Sequence, residues 1–255
     1  MTVFEAKNLS LVRGGRELFR GMDIEAGPGT IVAVIGPNGA GKSSLLMALA
    51  AVLVPASGEC IMQGRAVSSY SRAELAQLIA WQGELPPTEF GLTVEQRLKL
   101  AAMGSGDAGL MHHAIKEMDI GTLLSRSLAE LSSGERQRVE IASVMLRDCP
   151  LWLFDEPTSH LDLQHQVACL NMFRAEARKG RVIVTVLHDI QQAASVADKV
   201  ILIDGRGGIE CGDARSMMVT DKLESLFRVK LATVSLDGRE VQLPDYRGHK
   251  DTGEQ

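Results

Sequence analysis

Short runs of apolar, often β-branched residues recur along the chain, and the later ones are separated by stretches with the length and spacing of helices. The runs lie at residues 31–35, 78–81, 151–154, 181–186 and 199–203. A continuous apolar run of this length is typical of a strand buried on both faces. Strands that alternate with helices predict a mostly parallel sheet, so we expect the α/β fold class.

Two other segments depart from this alternation. Residues 3–25 are typical of short strands joined by turns. Between about residues 84 and 148 helices replace the strand pattern: Thr93 and Gln96 fit a capping box that starts one helix, and residues 108–118 are typical of another. We therefore expect a helical insertion in the middle of the α/β domain.

The bulk properties suit one large domain with a substantial core, since 45% of the 255 residues are hydrophobic and 23% are charged. We expect this domain to span residues 1–244 and the polar tail at 245–255 to be disordered. The net charge of −5 argues against nucleic acid as a partner. No apolar run has the length of a membrane span, and the N-terminus lacks the pattern of a secretion signal. The four cysteines have no C-x-x-C spacing, which favours reduced thiols over a metal site.

The segment between the first buried strand and the helix after it has the pattern of a phosphate-binding loop. Residues 36–43 read Gly-Pro-Asn-Gly-Ala-Gly-Lys-Ser and fit G-x-x-x-x-G-K-[ST]. Glycines let the backbone N–H groups approach phosphate oxygens at a helix N-terminus. We expect Lys42 to reach the β- and γ-phosphates and Ser43 to bind Mg²⁺. The predicted nucleotide-binding residues here are Gly36, Pro37, Asn38, Gly39, Ala40, Gly41, Lys42, Ser43 and Ser44.

A pair of carboxylates ends the apolar run at residues 151–154. A parallel strand delivers the residues at its carboxyl end to the edge of the sheet where ligands bind. We therefore expect Asp155 to hold Mg²⁺ and Glu156 to act as general base toward an attacking water.

These motifs and four others follow one another as they do in the ATP-binding-cassette ATPases, which the sequence resembles. The phosphate loop, Gln82, residues 131–135, the carboxylate pair, residues 159–162 and His188 all occur in the family's order. Residues 131–135, Leu-Ser-Ser-Gly-Glu, resemble the family signature L-S-G-G-Q. The resemblance covers about residues 3–212. It implies a P-loop NTPase core, an antiparallel β-subdomain at the start and an inserted helical subdomain.

The resemblance also implies a dimer in which two chains pack head to tail. Each ATP would lie between one chain's phosphate loop and the other chain's signature. Ser132 and the backbone N–H of Gly134 would contact the γ-phosphate across the dimer. Gln82 would sense Mg²⁺ and the attacking water, and Asp162 would lie at the dimer interface. His188 would contact the γ-phosphate and orient the water.

Three positions depart from the family pattern. Ser133 replaces a signature glycine, and Glu135 replaces glutamine, as is familiar among importer subunits. Arg13 lies in the region where the family often stacks an aromatic residue on adenine. A guanidinium can stack on a base, and the alternative is a solvated arginine without a role; the sequence leaves both open.

Two further segments resemble the ATP-binding subunits of vitamin B12, haem and iron-chelate importers. They are residues 82–87 and 227–239, the second of which would form a short hairpin turning at Gly238. This resemblance implies a motor at the cytoplasmic face of the membrane, bound to two transmembrane permease subunits and served by an external binding protein. The alternatives are a soluble cassette ATPase, such as an assembly scaffold, and an export or lipoprotein-release motor.

Overall fold

Two sheets, a C-terminal hairpin and nine helices make up the part of the chain that the computed structural model describes, which is residues 2–83, 85, 91–103, 108–236 and 239–245. In chain order the strands are β1 (Phe4–Arg13), β2 (Arg16–Ala26), β3 (Ile31–Ile35), β4 (Ser57–Met62), β5 (Arg65–Ala66), β6 (Ile79–Gln82), β7 (Leu151–Asp155), β8 (Val182–Val186), β9 (Lys199–Ile203), β10 (Ile209–Asp213), β11 (Leu231–Leu236) and β12 (Arg239–Pro244). The helices are α1 (Lys42–Leu49), α2 (Arg72–Leu78), α3 (Val94–Ala101), α4 (Ala108–Glu117), α5 (Ser133–Met145), α6 (Leu163–Arg178), α7 (Ile190–Val196), α8 (Ala214–Met217) and α9 (Thr220–Phe227).

The central sheet has six strands in the order β10-β9-β3-β8-β7-β6. Every neighbouring pair from β9 to β6 is parallel, and only β10 runs antiparallel, against β9. The predicted α/β class and the five predicted core strands are thus confirmed. Strand β10 was not predicted, because its sequence, Ile-Glu-Cys-Gly-Asp, has too few apolar residues to resemble a buried strand.

Alternate residues of each parallel strand enter two different cores. On β3, Ile31, Ala33 and Ile35 pack with the cluster beneath the helical segment and α6, whereas Val32 and Val34 pack with α1 and the antiparallel sheet. Side chains alternate between the faces of a strand, so a strand covered on both faces must be apolar throughout. This is the physical reason for the continuous apolar runs in the sequence.

The second sheet is antiparallel and has the order β2-β1-β4-β5. It confirms the antiparallel β-subdomain, but the prediction of short strands was wrong, since β1 and β2 have 10 and 11 residues. A register shift around Asn8, whose φ is 45°, breaks the apolar alternation of β1 without ending the strand.

The inserted segment is helical in its described part, residues 91–103 and 108–145. Helix α3 begins with the predicted capping box, in which the Thr93 side chain accepts from the Gln96 N–H and the Gln96 side chain accepts from the Thr93 N–H. Helices α3 and α5 are joined by a bidentate ion pair between Arg97 and Glu140, with Nε–Oε1 at 3.0 Å. Residues 104–107, between α3 and α4, lie outside the described residues, and the domain boundaries stay a prediction.

The C-terminal segment ends in the predicted hairpin. Strands β11 and β12 pair from Leu231↔Pro244 to Leu236↔Arg239. Gly238 and the tail at residues 246–255 lie outside the described residues.

Candidate functional site

The phosphate loop connects β3 to α1 at the carboxyl edge of the central sheet. Its first glycine is required by close packing, because a Cβ at Gly36 would lie 2.1 Å from the carbonyl oxygen of Ile203. Gly41, the residue before α1, has φ 105°, a conformation that L side chains rarely adopt. The loop thus turns tightly and presents the N-terminus of α1 to a ligand.

Lys42 is held inside this loop. Its Nζ donates to the carbonyl oxygens of Gly36 at 2.9 Å and Pro37 at 3.0 Å. Burial lowers the pKa of the Lys42 ammonium, while the charges of Glu156 and Asp155 oppose that change. The ammonium is therefore positioned by the loop itself and lies within electrostatic range of both predicted carboxylates.

An open cavity of about 620 Å³ lies in front of the loop. Five of the predicted site residues line it, from four different segments of the chain: Arg13, Ser43, Gln82, Asp155 and Glu156. The remaining lining residues include Met47, Trp81, Gln137, Ser159 and His160. The fold thus gathers these five predicted residues around one cavity, whereas Lys42 and His188 are not among its lining residues.

Gln82 and Asp155 come together because β6 and β7 are parallel neighbours, with Gln82 opposite Phe154. The Gln82 Nε2 donates to the backbone oxygen of Asp155 at 3.4 Å. The Gln82 side chain is buried, yet its Oε1 has no hydrogen-bond partner among the described residues. A buried amide oxygen without a partner costs free energy, so we expect a ligand there that offers this oxygen a cation or a hydrogen-bond donor.

Glu156 and His188 form the closest contact between predicted catalytic residues. The His188 Nε2 lies 2.6 Å from Glu156 Oε1. Glu156 follows β7 and has φ 52°, in the left-handed region, where a non-glycine residue is strained. Its carbonyl oxygen accepts from both the N–H and the hydroxyl of Ser159, at 3.2 and 2.9 Å. The turn after β7 thus directs the Glu156 carboxylate toward His188, which lies two residues after the end of β8.

Arg13 lies against the phosphate-loop helix. It ends β1, and its Nη1 donates to the Ser44 hydroxyl at 3.1 Å. This contact places the guanidinium at the cavity and gives it a partner that the sequence did not reveal. Stacking of Arg13 on adenine stays a prediction.

The signature residues do not line this cavity. Ser132 is the N-cap of α5, its hydroxyl accepts from the Glu135 N–H, and the Glu135 carboxylate accepts from the Ser132 N–H at 2.7 Å. Glu135 also pairs with Arg126, with Nη1–Oε1 at 3.2 Å. Gly134 packs on the loop before α6, because a Cβ there would lie 2.7 Å from the carbonyl oxygen of His160. The signature is therefore a self-capped helix N-terminus, at which Ser132 and Ser133 are exposed and Gly134 and Glu135 are half-buried.

Sequence reasoning missed Gln137 as a lining residue. It lies in α5 after the signature, it is buried, and its Nε2 lacks a hydrogen-bond partner among the described residues. A polar residue among the apolar positions of α5 was the available signal, but only the fold shows which cavity that helix borders.

Comparison with known proteins agrees with this geometry. The ABC transporter family matches residues 19–159, from within β2 through the carboxylate pair and the turn after it. The chain belongs to this family. It is an ATP-binding subunit of a transporter, with ATPase activity coupled to transport.

Several relatives are hemin import ATP-binding proteins named HmuV. The protein of Rhodopseudomonas palustris strain HaA2 is 34% identical over 264 residues, which cover 96% of this chain and 98% of the relative. That of Streptomyces coelicolor is 40% identical over 205 residues, covering 78% and 73%. Among solved structures, a metal-chelate type ABC transporter in an inward-facing conformation has a TM-score of 0.81 at 23% identity, covering 97% of this chain and 99% of its own, and so shares the fold.

Two features are missing from the described residues. None of the helices there combines the length and apolar character needed to cross a membrane. Within the same residues, no three side chains of His, Cys, Asp or Glu cluster as metal ligands.

Proposed function

We propose that this chain is the motor subunit of an importer for haem or a related metal chelate. The observation that carries the proposal is its near end-to-end similarity to hemin import ATP-binding proteins. As such a motor it would act as a head-to-tail homodimer on two permease subunits, at the cytoplasmic face of the membrane. An external binding protein would deliver the cargo to the permease.

For hydrolysis, the phosphate loop and Lys42 bind the phosphates, and the Lys42 ammonium exchanges its carbonyl contacts for phosphate oxygens. Glu156 takes a proton from the attacking water as the water oxygen bonds to the γ-phosphorus. The bond to the β-phosphate oxygen breaks, and ADP and phosphate leave. His188, 2.6 Å from the Glu156 carboxylate, orients that water and contacts the γ-phosphate.

The residues around the cavity fit Mg²⁺. The Ser43 hydroxyl and the Asp155 carboxylate line the cavity together with the partnerless Gln82 Oε1, and Mg²⁺ prefers such oxygen ligands. Ser43, Gln82 and Asp155 would hold the ion, which neutralises charge on the transferring phosphate when bound.

The signature fits the second half of the site. Because the Ser132 oxygen accepts from the Glu135 N–H, the Ser132 hydroxyl proton can be donated to a phosphate oxygen. The N-terminus of α5, a helix of 13 residues, attracts an anion. Ser132 and the Gly134 N–H of one copy would thus contact the γ-phosphate held by the other copy. Closure of the dimer on ATP would drive the permease between its two facing states.

The test isolates the chain with its native membrane partners in mild detergent and reconstitutes the complex in vesicles. We expect a polytopic permease to co-purify, and ATP to drive haem uptake when the external binding protein supplies haem. Glu156→Gln should bind ATP with wild-type affinity but lose phosphate release and uptake by at least about a hundredfold. Glu210→Gln is the control, since that exposed glutamate of β10 pairs with Lys222 and does not line the cavity.

Each failure has a separate meaning. Absence of any permease from the detergent complex would contradict the transport assignment. ATP-driven uptake of another metal chelate without haem uptake would replace haem as the cargo. Phosphate release by Glu156→Gln at the wild-type rate would remove Glu156 from its role as general base.

A further inference from the structure

The contact between Glu156 and His188 depends on two turns that belong to different strands. Glu156 follows β7 in a strained left-handed conformation, and His188 follows β8. Strained residues keep their conformation only where the surrounding structure constrains them. The side chains that connect the two turns therefore determine whether the 2.6 Å contact is maintained.

A ring of three side chains makes this connection. The Thr158 hydroxyl donates to Gln192 Oε1 at 2.7 Å, and Gln192 Nε2 donates to Gln166 Oε1 at 3.0 Å. Gln166 Nε2 closes the ring by donating to the carbonyl oxygens of Thr158 at 3.3 Å and Leu161 at 3.0 Å. Thr158 is buried, so its hydroxyl needs this partner.

The ring joins three elements that carry the site. Thr158 lies two residues after Glu156, in the turn that aims the carboxylate. Gln192 lies in the first turn of α7, which begins two residues after His188. Gln166 lies in the first turn of α6, and this helix begins directly after the predicted interface residue Asp162.

We propose that Gln192 is a positioning residue for hydrolysis, which holds the turn of Glu156 in register with the turn of His188 through Thr158 and Gln166. The inference rests on the proposed roles of Glu156 and His188. Gln192 contacts neither, and it acts by fixing how their two turns lie relative to each other. A displacement of a reacting group by about 1 Å can lower a rate by about a hundredfold.

The neighbouring glutamine provides a matched control. Gln191 lies in the same turn of α7, but its Nε2 donates to the backbone oxygen of Gln242 in the C-terminal hairpin. Gln191→Met and Gln192→Met therefore remove amides of equal size from the same helix turn. Only the second breaks the ring.

The test measures kcat, KM and the number of ATP-binding sites per chain in the reconstituted complex. For Gln192→Met we expect kcat to fall about tenfold while KM stays within about twofold. Thr158→Val should also lower kcat, and the double variant should be no worse than Gln192→Met, because Gln192→Met has already broken the hydrogen bond that Thr158→Val removes. Thr158→Ser keeps the hydroxyl and should keep the wild-type kcat, as should Gln191→Met.

A merely structural role predicts a different pattern. Gln192→Met and Thr158→Val would then lower the number of ATP-binding sites, with an unchanged kcat per site, and this result would overturn the proposal. So would a wild-type kcat in both variants. If Glu156→Gln and His188→Ala also kept full phosphate release, the proposed roles of Glu156 and His188 in hydrolysis would be wrong. If both variants lost phosphate release, only the inference about Gln192 would be wrong.

Discussion

The phosphate loop and the signature are the two regions of this chain that we propose to bind phosphate, and they are built differently. The loop lies deep at the sheet edge, and its Lys42 is buried and bonded to the loop's own carbonyl oxygens. The signature is a helix N-terminus on the helical segment, capped by the reciprocal bonds of Ser132 and Glu135. The phosphate loop is held by hydrogen bonds within one chain, whereas the signature exposes its N-cap Ser132 to solvent.

This difference suggests that ATP hydrolysis, but not ATP binding, needs a second copy of the chain. The loop already has its cation and its helix N-terminus, and two carboxylates lie within electrostatic range of that cation, so we expect a single chain to bind ATP. Ser132 and Gly134 do not line that cavity, and we propose that they contact a phosphate held by another copy. Changes in the loop should therefore affect ATP binding, and changes in the signature should affect turnover alone.

Among the variants that compare these two regions, Lys42→Ala should have the largest effect, which is on ATP affinity. A hydrogen bond to a charged group contributes about 1.5–3 kcal/mol, so loss of the ammonium should weaken ATP binding by at least about tenfold and up to about a hundredfold. Equilibrium titration of the isolated chain with ATP measures this change. Lys7→Ala, at an exposed lysine of β1, is the control and should bind normally.

An unchanged affinity in Lys42→Ala would contradict the proposed organisation of the loop. The melting temperature should be recorded as well. The variant also removes the buried bonds to Gly36 and Pro37, and weak binding must be separated from local unfolding.

Contiguous patterns made most of this site predictable. The phosphate loop is one unbroken stretch, and Gln82, Asp155 and Glu156 end apolar strands that a parallel sheet brings to one edge. Long-range contacts were not predictable, because no local pattern encodes them. The left-handed backbone of Glu156, the bond from Arg13 to Ser44 and the ring around Gln192 all depend on how separate segments pack.

The same reasoning applies to the fold. Five core strands were predictable because burial on both faces demands apolar residues throughout. The length of β1 was not, since a bulge at Asn8 breaks the alternation without ending the strand. Strand β10 escaped prediction because it pairs at the edge of the sheet, where burial demands less apolar sequence.

An intermediate effect is expected from Gly134→Ala. The added Cβ would lie 2.7 Å from the carbonyl oxygen of His160. Because that neighbour is backbone, either the start of α5 or the segment at His160 must shift. ATP hydrolysis in the assembled complex should fall about tenfold, while ATP affinity of the isolated chain stays within about twofold. Gly121→Ala is the matched control in the helical segment, because its nearest neighbour would be Ile115 Cγ2 at 3.7 Å.

Two results would break the comparison between the regions. Loss of ATP binding by isolated Gly134→Ala would show that the signature contributes to the first site within one chain. Full hydrolysis by the same variant would show that the position of the signature does not limit turnover.

The smallest effect is expected from Glu135→Gln, which restores the family's usual residue. Glutamine can still accept from the Ser132 N–H, so the cap is retained, and only the ion pair with Arg126 and a negative charge at the N-terminus of α5 are lost. Both partners are partly exposed, so the free energy of unfolding at neutral pH should fall by only about 0.5 kcal/mol.

The pH dependence of this loss tests its electrostatic origin. The hydrogen bond from the Ser132 N–H, and after it the Ser132 side chain and Arg126, hold the pKa of Glu135 below its ordinary value of 4.5 against the effect of burial. A depressed pKa stabilises the fold above the ordinary value, and this contribution is lost as the pH falls through the lower, folded-state value. Denaturant unfolding of the wild type and Glu135→Gln should therefore differ at pH 7 and converge below pH 4.5. A difference that widens in acid would mean that the neutral side chain disturbs the cap itself. The signature would then be as sensitive to its side chains as the buried phosphate loop.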